Sequence, residues 1–189
     1  MIGSDDMSGA PDLYADFPSR FKGELCRHLW QYWISKLEGR IAPEWGDIDL
    51  MDIYDIAPHL VVLDVDTDTS PPAMTYRYAG THIVMSRWKI DTPDPTGRNF
   101  DDIEHQYDFS EVTRLYHECI ETVAPRHMRT RYDALDAHGL KERLVLPLIL
   151  PSGGIDKILS LRERLTENAI DQPVSSLAAA RLRRNPPRS

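Results

Sequence analysis

The apolar positions of this chain change their period several times, and each change marks an element. From Arg20 to Glu38, Phe21, Leu25, Leu29, Tyr32, Trp33 and Leu37 recur at helical spacing, and Gly39 is placed to end the helix. Adding Cys26, Trp30 and Ile34 widens the apolar arc to roughly 220°, well beyond the stripe of about 100° that one packed face needs. The helix is therefore expected to bury two faces. One would lie on its own domain, and Trp30, Trp33, Ile34 and Leu37 would meet a second copy of the chain as a homodimer interface.

His59 to Val65 reads as a strand covered on both faces, and Asp66 to Pro72 as a turn. Met74, Tyr76 and Tyr78 alternate with Thr75 and Arg77, the pattern of a second strand paired to the first. A short helix from Thr81 to Trp88 precedes an irregular stretch around Pro93, Pro95 and Gly97. Ser110 can cap a longer helix whose Val112, Leu115, Tyr116, Cys119, Ile120 and Val123 share one side. Three further strands are expected at 126–134, 143–150 and 155–162, the last two joined by Pro151-Ser-Gly-Gly154. Pro147 requires an edge or bulge position. Alternation puts His127, Arg129, Arg131 and Asp133 on one face of the third strand, where they would be solvated, covered by the N-terminal helix, or set to grip a carboxylate.

This order predicts an α+β domain over residues 20–165, with a flexible acidic arm at 1–19 and a flexible basic tail at 166–189. The 189 residues carry a formal charge of −8, which disfavours broad contact with nucleic acid or an anionic membrane. The tail is the exception: Arg181, Arg183, Arg184 and Arg188 could dock an acidic partner. No secretion signal or long apolar run is visible, so the cytoplasm is the expected compartment. Cys26 and Cys119 lack the spacing of a metal or redox motif and read as buried thiols.

Local sequence adds a resemblance. Arg40-x-x-Pro43 through Asp47-Ile-Asp49, then Ile53 and Ala57-Pro58-x-Leu60-x-Val62, resembles a bacterial family of short, single PAS-type domain proteins. Tyr76-Arg77-Tyr78-Ala79-Gly80-Thr81, Thr96-Gly97-Arg98, Pro125, Leu146-Pro147-Leu148 and Gly153-Gly154 continue the match over roughly residues 25 to 162. Ala57 departs from the leucine usual there. The resemblance implies a five-stranded antiparallel sheet with helices over one face, acting as a sensory or interaction module.

Such a fold can hold an apolar cavity, here expected to be lined by Ile83, Met85, Trp88, Tyr107, Tyr132 and Leu146, with His105 beside it and an unidentified small molecule as ligand. Haem would need a histidine aimed inward, but the helical wheel turns His117 to solvent and leaves His105 able to point either way. Cys119 belongs to the apolar face, so a reactive flavin cysteine is not evident. Haem and flavin are both disfavoured on these grounds. No nucleotide-binding or nucleophile motif occurs. Two other readings stand beside the sensor: a cone-shaped α+β isomerase or dehydratase using His105, Asp108 and Tyr132, and a dimerisation module with a closed core.

Overall fold

The computed structural model describes residues 14–85, 94–104, 110–134 and 137–165, with backbone alone at 104, 132–134, 137 and 138. Helix α1 (Glu24–Ser35) is followed by β1 (Leu60–Asp66) and β2 (Ala73–Ala79). Next come α2 (Thr81–Met85), α3 (Phe100–Glu104) and α4 (Ser110–Thr122), then β3 (Arg126–Ala134), β4 (Ala137–Ile149) and β5 (Ile155–Leu165). The strands form one antiparallel sheet in the order β2-β1-β5-β4-β3. This is the α+β, PAS-like architecture that the element order predicts.

Three elements differ from expectation. β4 starts at Ala137 rather than near 143, because Leu140 to Val145 are paired on both sides, with β3 and with β5. The ladder there offsets a polar sequence that carries no strand period. The five-residue α3 is too short to show a helical period. The helix expected at 20–38 is confined to 24–35, preceded by an extended Gly23 and followed by positive φ at Glu38 and Gly39. Pro147 pairs with Ile158 of β5 at a point where β3 has ended, so its missing N–H leaves no gap in a ladder.

Alternation divides the core between the two faces of the sheet. On one, Leu60, Val62, Leu144, Leu146, Leu159 and Leu161 pack against Cys26, Leu29, Trp30 and Trp33 of α1. On the other, Val61, Leu63, Met74, Tyr76, Val145 and Ile158 pack under α2, α3 and α4. A register shift at Val62/Leu63 lets Tyr76 serve the second cluster and Tyr78 the first, although the two residues share parity.

The breadth of the apolar arc on α1 is used within one chain. Residues 14–21 fold over the helix, with Phe17–Arg20 as a 3-10 turn. Phe17 stacks on Trp30 at 4.7 Å between ring centroids, and Tyr14 meets the edges of Trp30 and Trp33 at 5.9 and 5.8 Å. Trp30, Trp33 and Leu37 are only 3, 0 and 1% exposed, and Ile34 packs half-buried against the same cluster. The expected homodimer face at Trp30, Trp33, Ile34 and Leu37 is thereby corrected. Its apolar demand is met by Tyr14, Phe17 and Phe21, of which the first two fall in the segment expected to be a loose arm. The Arg-rich tail lies outside the described residues.

Truncating Trp30 to alanine is expected to cost roughly 3–5 kcal/mol of folding stability, seen as a lower urea midpoint. A variant that kept its midpoint and only split an oligomer on sedimentation would restore the interface reading.

Candidate functional site

The residues that carry the family resemblance meet in space as joints of the scaffold. Arg40 bonds Glu44 at 3.0 Å and Asp47 at 2.7 Å, and Pro43 O accepts the amide of Ile149 at 2.9 Å. The Gly80 amide donates to Leu60 O at 2.9 Å, while a Cβ at Gly80 would stand 2.3 Å from Ala57 O. Only glycine allows that approach. Tyr76 exchanges backbone bonds with Gly97 and Arg98 at 2.7 and 2.9 Å. These motifs therefore hold strands and loops together.

The residues expected to line a cavity separate. Ile83 lies in the cluster under the helices, 3% exposed. Met85 is 69% exposed at the end of α2 and does not line an interior. Leu146 is buried on the α1 face, because it alternates with Val145, which points the other way. The backbone of Tyr132 pairs with Gly139. Trp88, His105 and Tyr107 lie outside the described residues, as does Asp108.

Aromatic rings and a short polar chain occupy the helix-covered face. Phe100 lies 5.6 Å from Tyr76 and 4.7 Å from Tyr116 between centroids. Tyr116 donates its hydroxyl to Ser160 Oγ at 2.7 Å and accepts from Arg143 Nη1 at 3.0 Å. Cys119 of α4 is fully buried, and burial pushes its thiol up to about 12, so it stays protonated. Beyond Ser160 the same face continues with two cationic pairs across β4 and β5, Arg143 opposite Arg162 and Lys141 opposite Arg164. Burial, then the nearby Arg162, Arg164 and Arg143, pushes the Lys141 ammonium down to about 8.

One residue along each strand, on the other face, Glu142 stands opposite Glu163. Glu142 is 0% exposed and accepts from the backbone amide of Lys22 at 3.0 Å, from that of Gly23, and from His127 Nε2 at 2.9 Å. Glu163 Oε2 accepts from the amides of Leu25 and Cys26 at 3.1 and 3.3 Å. The two carboxylates thus satisfy amides at the start of α1 that the helix itself leaves without acceptors. A Cβ on Gly23 would fall 1.9 Å from Glu163 Oε2. Burial raises the Glu142 carboxyl, but the His127 bond and the Lys22 and Gly23 amides outweigh it and hold the group below the ordinary glutamate range. Burial and the neighbouring Glu142 charge hold Glu163 above that range, against the pull of the amides it binds.

Of the open readings for the third strand, cover by the N-terminal segment describes His127. Phe21 and Phe17 meet its ring edge-on at 5.3 and 6.5 Å. Sequence reasoning missed Glu142 and Glu163. The available signal was a pair of acids at inward positions of the last two strands, with a glycine just before the first helix. Cys26 joins these glutamates in the single group of three potential metal ligands among the described residues. Glu163 already accepts from α1 and Glu142 from the Lys22 and Gly23 amides just before it, and burial holds the Cys26 thiol protonated, so the group acts as a helix cap.

No family model and no curated protein matches the chain. Solved structures do. A light-oxygen-voltage domain studied with a flavin analogue shares 15% identity at a TM-score of 0.45, over 73% of this chain and 94% of its own. The LOV protein of Rhodobacter sphaeroides shares 15% at 0.41, over 70% and 75%. A sensory box sensor histidine kinase from Vibrio cholerae shares 13% at 0.41, over 62% and 90%. The expectation that flavin is disfavoured is corrected by these light-oxygen-voltage matches. On the helix-covered face of the sheet Tyr76, Phe100 and Tyr116 are at most 2% exposed and pack on one another. Among the described residues no helix is long and apolar enough to cross a membrane.

The two glutamates are expected to respond oppositely to acid. Glu142, held low, contributes stability above the ordinary glutamate value that is lost as pH falls through its folded value. Glu163, held high, gains relative stability as pH falls through its folded value toward the ordinary one. Glu142→Gln is expected to cost about 1–3 kcal/mol at neutral pH and to flatten the acid loss. Glu163→Gln, which keeps an acceptor oxygen and removes a like charge, is expected to leave stability unchanged or higher. Denaturation midpoints between about pH 4 and 7 check both.

Proposed function

We propose that this chain is a PAS-type sensory module that takes a small molecule against the helix-covered face of its sheet and relays occupancy to the segment around the start of α1. The observation that supports this reading is the alternation on β4 and β5. Arg143 and Arg162 face the helices, and their chain neighbours Glu142 and Glu163 hold the first amides of α1. A ligand that displaces the Arg143–Tyr116–Ser160 chain moves strand positions one peptide away from those carboxylates. The response would be read in residues 14–26, whose cover over the α1 face depends on the same two acids. Strands shift as units in a packed interior, which carries a small displacement further than a loose loop would.

Native mass spectrometry of freshly purified protein is expected to show a retained small molecule at one per chain, with absorbance scanned in the blue for flavin. Hydrogen exchange is expected to differ at Lys22 to Cys26 between the loaded and stripped forms. A chain that retains nothing, and whose amides there exchange identically after denaturing and refolding, would instead be a closed scaffold.

A further inference from the structure

The most exposed large apolar side chains among the described residues stand three positions apart on one turn. Met51 is 73% and Tyr54 70% exposed, while Ile53 and Ile56 of the same turn are buried in the α1 cluster. Backbone bonds from Asp52 N to Asp49 O and from Ile56 N to Ile53 O coil this segment, so Met51 and Tyr54 share its outer side. Acids surround them. Residues 36–55 hold six acids against Lys36 and Arg40, and Arg40 is taken up by Glu44 and Asp47. Lys36 pairs with Asp52 at 3.2 Å and His28 with Asp55 at 3.3 Å, and both aspartates stay half exposed. The acids outnumber the bases even with these pairs formed, so the surface around Met51 and Tyr54 is negative. An apolar pair ringed by acids fits a partner segment that is basic and carries apolar side chains of its own.

We infer that the basic end of this same chain, residues 177–188, docks on the turn at 49–55. From Leu177 onward the sequence carries Arg181, Arg183, Arg184 and Arg188 with no acid, interleaved with Leu182 and a run of alanines. The arginines match the carboxylates of Asp49, Asp52 and Asp55, and the leucines match Met51 and Tyr54. Reach permits the contact. β5 ends at Leu165, and Glu163 Oε2 lies 3.1 Å from the Leu25 amide at the start of α1. His28 and Tyr32, which bond Asp55 and Asp52, follow on that helix within about 10 Å at its rise per residue. Residues 166–180, between the strand and the first arginine, span roughly 20 Å as a coil. With both surfaces on one chain the effective concentration is about millimolar, so a contact too weak to join separate molecules suffices. This inference goes beyond the sensory reading and does not depend on it.

The full chain is to carry a nitroxide on the cysteine introduced by Ala179→Cys. Cys26 and Cys119 are fully buried with thiols held protonated, so the label goes to the new site. Paramagnetic broadening of NMR signals is expected at the Met51 methyl and the Tyr54 amide, and not at Glu111 of α4 across the sheet. Arg181→Gln with Arg183→Gln and Arg184→Gln is expected to abolish it, and about 1 M salt, where the Debye length is ~3 Å, to weaken it. Met51→Ser with Tyr54→Ser is expected to remove the broadening at the Asp52 and Asp55 amides with the melting temperature unchanged, because both side chains are exposed. If that variant fails to fold, the arginine variant carries the test. An isotope-labelled chain without nitroxide, mixed with a nitroxide-bearing chain, is expected to show no broadening; broadening there assigns the surface to a second copy and overturns docking within one chain. Absence of broadening at Met51 and Tyr54, equal broadening at Glu111, or broadening that survives loss of the arginines also overturns the inference.

Discussion

Everything on the α1 face depends on how the first turn of α1 is seated. A helix begins with amides that have no acceptor of their own, and here that beginning is pressed onto a sheet where water has little access. Glu142 and Glu163 supply the acceptors, and their negative charge complements the positive end of the helix. Burying two carboxylates is tolerable only because amides and His127 complete their hydrogen bonds. With the start of α1 held, Trp33 reaches Pro147 O at 3.0 Å, and Trp30 presents its ring to Phe17. Tyr14, Phe17 and Phe21 can then close over the helix.

The central strands carry two chemistries back to back. On the helix-covered side, β4 and β5 change from apolar (Val145, Ile158) through Ser160 to the cations Arg143, Arg162, Lys141 and Arg164. On the α1 side, the same strands change from leucines to the glutamate pair and end in the buried Leu165. Because successive side chains alternate, the acids and the bases are neighbours in the chain yet separated by the thickness of the sheet. A contact made on one side thus has a direct covalent route to the other.

The stretches that resemble a known family turned out to be architectural. Arg40 ties the connector after α1 to its own 3-10 turn, and Gly80 lets the end of β2 touch the 57–58 backbone. Tyr78 donates to Ala57 O at 3.1 Å across the same joint. Their order along the chain therefore indicated the fold well, and it carried little about the ligand. The residues that differ most in chemistry from a plain core, the cationic and acidic pairs of β4 and β5, lie outside those stretches.

The sequence by itself determined the kinds and order of the elements other than α3, the α+β class, the special position of Pro147 and the two-sided burial of α1. Each of these follows from local period, turn residues or a single side chain's backbone limits. It also determined which residues of β3 share a face, since alternation is a property of the strand alone. Only the tertiary structure decided which face each set looks toward, and so placed Leu146 under α1 rather than in a cavity. It likewise decided that residues 14–21, rather than a second copy, cover Trp30, and that Glu142 binds Lys22 from 120 positions away. Such pairings depend on strand order and on contacts between distant segments, and no local pattern encodes them.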